Sequence, residues 1–188
     1  MTSTREYIHY NNRLPLIESL VPLVGDKKEI KIADLAGGPY PKTGELLNGV
    51  KIELHHSDKR REEYLNNWKS RNLIPIHEME CQDMENLTYE DNMFDIVHCN
   101  NAFDHTRNAE TALKEMIRVC KPSGWVYIRC WLNQHTVSHK MHFWDAKEDG
   151  TFINEKGKFN LKDYGFDIKY VDNGGELRYN EIIATFQK

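Results

Sequence analysis

Three groups of residues have types and spacing suited to chemistry. The first is the run Asp34-Leu35-Ala36-Gly37-Gly38-Pro39, an acid followed by paired glycines, with Asp58 standing 20 residues beyond Gly38. Glycine has no Cβ, so it enters dihedrals closed to other residues and lets a ligand lie against main chain. An acid at that interval, just past a second strand, can accept hydrogen bonds from two ribose hydroxyls. These two features alone leave a nicotinamide dinucleotide open, and a lone glycine pair is more often a tight turn.

The second group is histidine, the side chain best suited to proton transfer near neutral pH. His105, His135, His139 and His142 fall in the second half of the chain. His135 and His139 are spaced to share a helix face, with His142 three residues further on. No carboxylate or cysteine at firm spacing completes a ligand set and no HExxH run is present, so no metal is expected. The third group is aromatic. Trp125, Trp131, Phe143 and Trp144 could wall an apolar or cationic ligand. Trp125 and Trp131 are expected to pack in or near a sheet, while Trp144 fits core and wall equally well.

The elements that must position these groups follow from apolar periodicity. Residues 5–24 read as a helix broken near Pro15, closed by Gly25-Asp26. Ile30–Leu35 reads as a buried strand running into the glycine turn. Val50–His55 reads as a second strand, followed by a polar helix over 58–70, and Ile74–Met79 as a third strand. Phe94–Cys99 is the clearest buried strand. The helix after it, over 108–120, places Ala109, Ala112, Leu113, Met116, Ile117 and Cys120 on one face. Lys121-Pro122-Ser123-Gly124 stops it and Trp125–Trp131 forms a strand. Phe166–Val171 and Glu181–Phe186 close the chain as an antiparallel pair. Strands alternating with helices specify an α/β fold with a mostly parallel sheet, an antiparallel C-terminal strand and helices on both faces.

Composition bounds the function classes. The 188 residues suit one domain, 1–188, with 1–25 as an N-terminal helical segment and 132–160 as a variable insertion. The net charge of −4 and the absence of a basic stripe argue against long nucleic acid. Lys59-Arg60-Arg61 is followed at once by Glu62-Glu63, a solvated helix face. No run stays apolar for the ~18 residues of a membrane span, and MTSTREYIHY has no apolar signal region, so a cytoplasmic location is expected. The four cysteines form no CxxC pair and are expected to be reduced.

Several blocks taken together resemble the class I S-adenosylmethionine-dependent methyltransferases over residues 30 to about 131. They are the glycine loop, Glu80-Cys81-Gln82-Asp83-Met84-Glu85-Asn86-Leu87, the strand Phe94–Cys99, Asn100-Asn101-Ala102-Phe103-Asp104-His105, and Arg118-Val119-Cys120-Lys121-Pro122-Ser123-Gly124-Trp125. The resemblance implies the Rossmann-like methyltransferase fold and S-adenosylmethionine as cofactor. It implies that Ala36, Gly37, Gly38 and Pro39 hold the methionine end, that Asp34 orients it, and that Asp58, beside Lys59, takes the ribose hydroxyls. By the same resemblance Asp83 and the Met84 backbone meet the adenine, and Asn100 and Asn101 face the methionine moiety. His105 and His142 are then candidates for proton removal or acceptor positioning, and Tyr40 and Trp144 for acceptor contact.

Two positions depart from the family's loop, Ala36 and Tyr40 standing where glycines are usual. Met141-His142-Phe143-Trp144 and Asn101–His105 further resemble the LHQW-like and NAxDH segments of a small methyltransferase-like subgroup. Methyl transfer to a small molecule is the expected activity. The alternatives are a protein that binds the cofactor without methyl transfer, an enzyme that cleaves it, and, weakest, a nicotinamide oxidoreductase.

Overall fold

The computed structural model describes residues 13–75, 77–137, 141–174 and 180–188. Its frame is a seven-stranded sheet. Five strands come from the first two thirds of the chain: β1 (Glu29–Leu35), β2 (Lys51–Ser57), β3 (Met79–Glu80), β4 (Phe94–Asn100) and β5 (Cys120–Trp131). Three short strands, β6 (Asp145–Ala146), β7 (Thr151–Asn154) and β8 (Gly157–Asn160), form a separate sheet, and β9 (Asp167–Val171) and β10 (Glu181–Gln187) complete the large one. The order across the large sheet is β3-β2-β1-β4-β5-β10-β9. β1 to β5 run parallel to one another, and β10 lies antiparallel to both β5 and β9. The parallel sheet with an antiparallel strand near its C-terminal edge is the architecture expected from the sequence.

The helices are α1 (Val21–Val24), α2 (Arg61–Ser70), α3 (Ala109–Val119) and α4 (Gln134–Val137). β4 is buried along almost its whole length, from Phe94 to Cys99, as its continuous apolar run requires of a strand covered on both faces. Helix α3 covers one face with Ala109, Ala112, Leu113, Met116 and Val119. Its first turn is capped by Asn108, whose side chain accepts the Thr111 N–H at 3.1 Å. The other face is covered by Leu16, Leu20 and Val24, which pack on Ile30, Ile32, Ile96 and Tyr127.

The structure corrects three expectations. Within the described part of the expected N-terminal helix only α1 is helical. Residues 13–17 are not helical, and there Pro15 pairs with Leu46 while the Leu16 N–H donates to the Leu46 carbonyl at 2.8 Å. The third strand shrinks from Ile74–Met79 to β3, since Pro75 lacks a ladder donor and Ile74 is exposed. The fifth begins at Cys120 rather than Trp125, with a register shift between Phe94 and Ile96 on the partner strand β4.

The segment expected as an insertion carries α4 and the small sheet, whose strands are antiparallel in sequence order. Phe152 is buried between Phe159, stacked at 5.5 Å, and the edge of Phe103 at 5.1 Å, which ties this sheet into the core under α3.

Candidate active site

The strand order places the site. β1 is flanked by β2 on one side and β4 on the other, so the chain changes direction across the sheet between β1 and β4. Beyond the carboxyl ends of those strands the loops diverge and leave a crevice. A cavity of about 510 Å³ opens there, the size of a small-molecule site.

Asp34 anchors the floor. The strand register sets it opposite His56 on β2 and His98 on β4, all three buried. Nδ1 of His98 is 2.8 Å from Oδ1 of Asp34, and Nδ1 of His56 lies 3.6 Å from Oδ2. Burial alone would raise the Asp34 pKa; the two histidines outweigh it and hold the carboxyl well below the usual range. Oδ2 also accepts the Lys42 N–H at 2.6 Å, so the carboxylate fixes the loop from beneath. Asp34 does not reach the cavity. Its action on anything bound there runs through that loop.

The loop itself is shaped by sterics. A Cβ on Gly37 would stand 2.7 to 2.9 Å from the His56 ring and the Asp34 carboxylate. Gly38 has room for a side chain, and what it needs is its φ of +74°. Ala36 holds φ at +51° although it carries a Cβ, a strained conformation of the kind that clusters at ligand sites. Asp58 follows β2, with Oδ2 accepting the Gly38 N–H at 3.1 Å and Oδ1 the Arg60 N–H at 2.8 Å. Each oxygen keeps a lone pair for a further donor.

Of the residues singled out in the sequence, Ala36, Gly37, Gly38, Tyr40, Asp58, Lys59, Asp83, Met84, Asn100, Asn101 and His105 line this cavity. Pro39, Asp34, His142 and Trp144 do not. The Asn101 backbone is left-handed at φ +52°, and its Oδ1 accepts the Trp131 N–H at 2.9 Å, which locks the ends of β4 and β5 together. Oδ1 of Asn100 and Nε2 of His105 are buried without a hydrogen-bond partner. Burial also keeps the His105 pKa below its ordinary value, against the pull of Asp104.

Trp144 stands behind the cavity. It is buried, its Nε1–H donates to the Thr106 carbonyl at 2.9 Å, and it packs edge-on to Phe159. His142 is hydrogen-bonded through Nδ1 to Oδ2 of Asp104 at 2.6 Å, with its ring 4.4 Å from that of His105. The expected placement of Trp131 within the sheet packing is corrected, since its half-exposed ring lines the cavity. Sequence reasoning also missed Lys42, Tyr64, Gln82, Thr106 and Met141, among other lining residues. Tyr64 had a signal, one helical turn beyond Arg60 at the start of α2; the others arrive by loop geometry alone. Cys99 and Cys130 are fully buried free thiols whose pKa values burial raises, so neither is a nucleophile here.

The comparisons with known proteins agree with this geometry. A family model described as a methyltransferase domain matches residues 46–128. No curated protein matches the sequence. Among solved structures, the YcgJ protein of Bacillus subtilis is 12% identical with a TM-score of 0.55, over 90% of this chain and 96% of that one. A SAM-dependent methyltransferase from Methanosarcina mazei is 12% identical with a TM-score of 0.56, over 93% and 99%. Another from Aquifex aeolicus is 15% identical with a TM-score of 0.50, over 95% and 94%. At such identities the structures establish the fold, and the family model matches its methyltransferase domain over 46–128. With this strand order, this strand-end cavity and a methyltransferase-domain match over 46–128, the chain has the Rossmann-like fold of the class I S-adenosylmethionine-dependent methyltransferases.

Proposed function

We propose that the protein transfers the methyl group of S-adenosylmethionine to a small-molecule acceptor that enters beside His105. The observation that carries this is the composition of a single cavity. Its strand-end wall holds the glycine loop, the Asp58 carboxylate and the orphaned Asn100 oxygen, and His105, Trp131 and Met141 also line it. The first set fits the cofactor: a glycine cradle for close main-chain approach, a carboxylate with spare lone pairs for hydroxyl donors, and a buried acceptor wanting a donor. Asp83, with its Oδ1 turned to the Glu85 N–H at 3.0 Å, and the buried Met84 are the residues for the adenine end.

The bound cofactor supplies an electrophilic methyl group. The residues supply position, and a base only where the acceptor must lose a proton. His105 is the group suited to take that proton, because its Nε2 lacks a partner and burial disfavours its charged form. His142, held by Asp104, stands edge-on behind it and fixes the ring. Tyr40, under the Lys42 ammonium 4.2 Å from its centroid, borders the cavity where the family's loop is open. A cytoplasmic setting is consistent with this reading; among the described residues no helix is long and apolar enough to cross a membrane.

Calorimetry with S-adenosylhomocysteine tests the cofactor half. The wild type should bind one equivalent, and Asp58→Ala should bind about 10–100-fold more weakly, as for a lost hydrogen bond to a charged group. Equal affinities would overturn the placement. Transfer assays across small acceptors and nucleic acid test the other half, and salt-sensitive methylation of nucleic acid would refute the acceptor class.

A further inference from the structure

The sequence offers His135, His139 and His142 as a histidine cluster without a carboxylate; His139 lies outside the described residues. Among the described residues the folded chain brings together another set. The 3₁₀ turn Phe103–His105 carries Asp104 and His105 side by side, and the extended run into β6 brings His142 against them. One ligand atom from each of Asp104, His105 and His142 lies within 4.8 Å of the other two. Within the set, Oδ2 of Asp104 is 2.6 Å from Nδ1 of His142, and Oδ1 is 3.9 Å from Nε2 of His105. Ligands 2.0–2.2 Å from a common ion stand roughly 3–4 Å apart, so small side-chain rotations converge the three.

We propose that Asp104, His105 and His142 form a binding site for one divalent first-row transition ion of the zinc class, open toward the cavity. Two imidazoles and one carboxylate are the donor set such ions take in sites that keep coordination positions free. The backbone is already fixed for it. The Asp104 carbonyl accepts the N–H groups of Phe143 and Trp144 at 2.8 and 3.2 Å, and the His142 carbonyl is 2.5 Å from Nδ1 of His135. A second observation is independent of this clustering: Nε2 of His105 is buried with no hydrogen-bond partner, so nothing in the protein competes for it as a ligand. Asp104 is 2% exposed, and a carboxylate that deep beside two imidazoles suits a cation.

Binding exchanges a proton for the ion. The ion takes the place of the proton between Nδ1 of His142 and the Asp104 carboxylate, and that proton passes to Nε2 of the same ring or to solvent. His105 then serves as a ligand, and the open side of the ion faces the cavity, where an acceptor oxygen or nitrogen can coordinate. The site stands on its own geometry and does not depend on the identity of the methyl acceptor.

Titration of chelator-treated full-length protein with Zn²⁺, and with Co²⁺ as a spectroscopic probe, tests the proposal. One ion per chain should bind, with Co²⁺ giving the visible absorption of a low-coordinate nitrogen–oxygen site. His105→Gln and His142→Gln should each weaken Zn²⁺ binding at least 10-fold. Circular dichroism, measured on the same samples, confirms that the fold persists. Absence of saturable one-to-one binding by the wild type overturns the site. So does unchanged Zn²⁺ affinity in both histidine variants, which would move the ion elsewhere. Because the readout is metal binding, a failed search for methyl acceptors leaves the result interpretable.

Discussion

The two sides of the cavity are built by different means. On the strand-end side, polar groups are fixed by strand register. Asp34 meets His56 and His98 because those positions lie opposite one another on β2, β1 and β4, and the loop above inherits that order through the Lys42 N–H. On the cover side, the described residues of 141–160 owe their placement to apolar packing. Phe152, Phe159 and Trp144 anchor a small antiparallel sheet in the main core, and Met141, on the run leading into it, lines the cavity. The lesson is that register fixes polar groups one by one along paired strands, whereas apolar packing places a whole layer at once.

The comparison is broken or sharpened most strongly at its buried anchor. Asp34→Asn removes the charge between two buried histidines and should cost about 3–5 kcal/mol at neutral pH, as for breaking a buried pair. Its folded-state pKa is depressed, so the wild-type contribution is fully present above the unfolded pKa near 4 and is lost as pH falls below it. Denaturant melts from pH 7 to 3 should show the variant less stable at pH 7 and flatter toward acid; parallel curves would deny Asp34 this role.

Gly37→Ala pushes a methyl group into the His56 ring and the Asp34 carboxylate. It should cost about 1–3 kcal/mol of overpacking and lower S-adenosylhomocysteine affinity by more than about 10-fold, both read from a melt and a titration. A variant of normal affinity would show that the loop yields.

On the cover side, Trp144→Phe keeps a ring but leaves the Thr106 carbonyl unpaired. A loss of about 1–3 kcal/mol in stability is expected, with cofactor affinity unchanged. A fall in affinity equal to that of Gly37→Ala would erase the distinction between the two sides. The smallest effect is expected at Ala36. Ala36→Gly relieves a left-handed alanine at φ +51° while adding unfolded-chain entropy, so the melting curve should shift by no more than about 1 kcal/mol and toward stability.

The strand-end half was legible in the sequence because its signals are local. An apolar run ending in Asp34, two glycines, an acid at position 58 and the buried β4 followed by Asn100 and Asn101 each occupy a few consecutive residues. Most of them line the cavity. The cover half was not legible, since no short-range pattern distinguishes Trp144 in a core from Trp144 on a wall. Trp131 lines the cavity at the end of β5, where its N–H donates to Oδ1 of Asn101, while the Trp144 indole is held in the core by the Thr106 carbonyl. The short β3 and the non-helical path before α1 were decided by edge position and by Pro15 and Pro75, where a missing N–H outweighs apolar periodicity.

By itself the sequence determined the alternation of strands and helices, the position of the glycine turn and the acid that follows β2, since periodicity and residue type act over a few positions. Only the tertiary structure decided that Asp34 would stand between His56 and His98, and that Asp104, His105 and His142 would converge. Those contacts join residues 22 to 64 positions apart, or 38 between Asp104 and His142. Strand register and the burial of Phe152 and Trp144 bring them together, and neither can be written into a short run of residues.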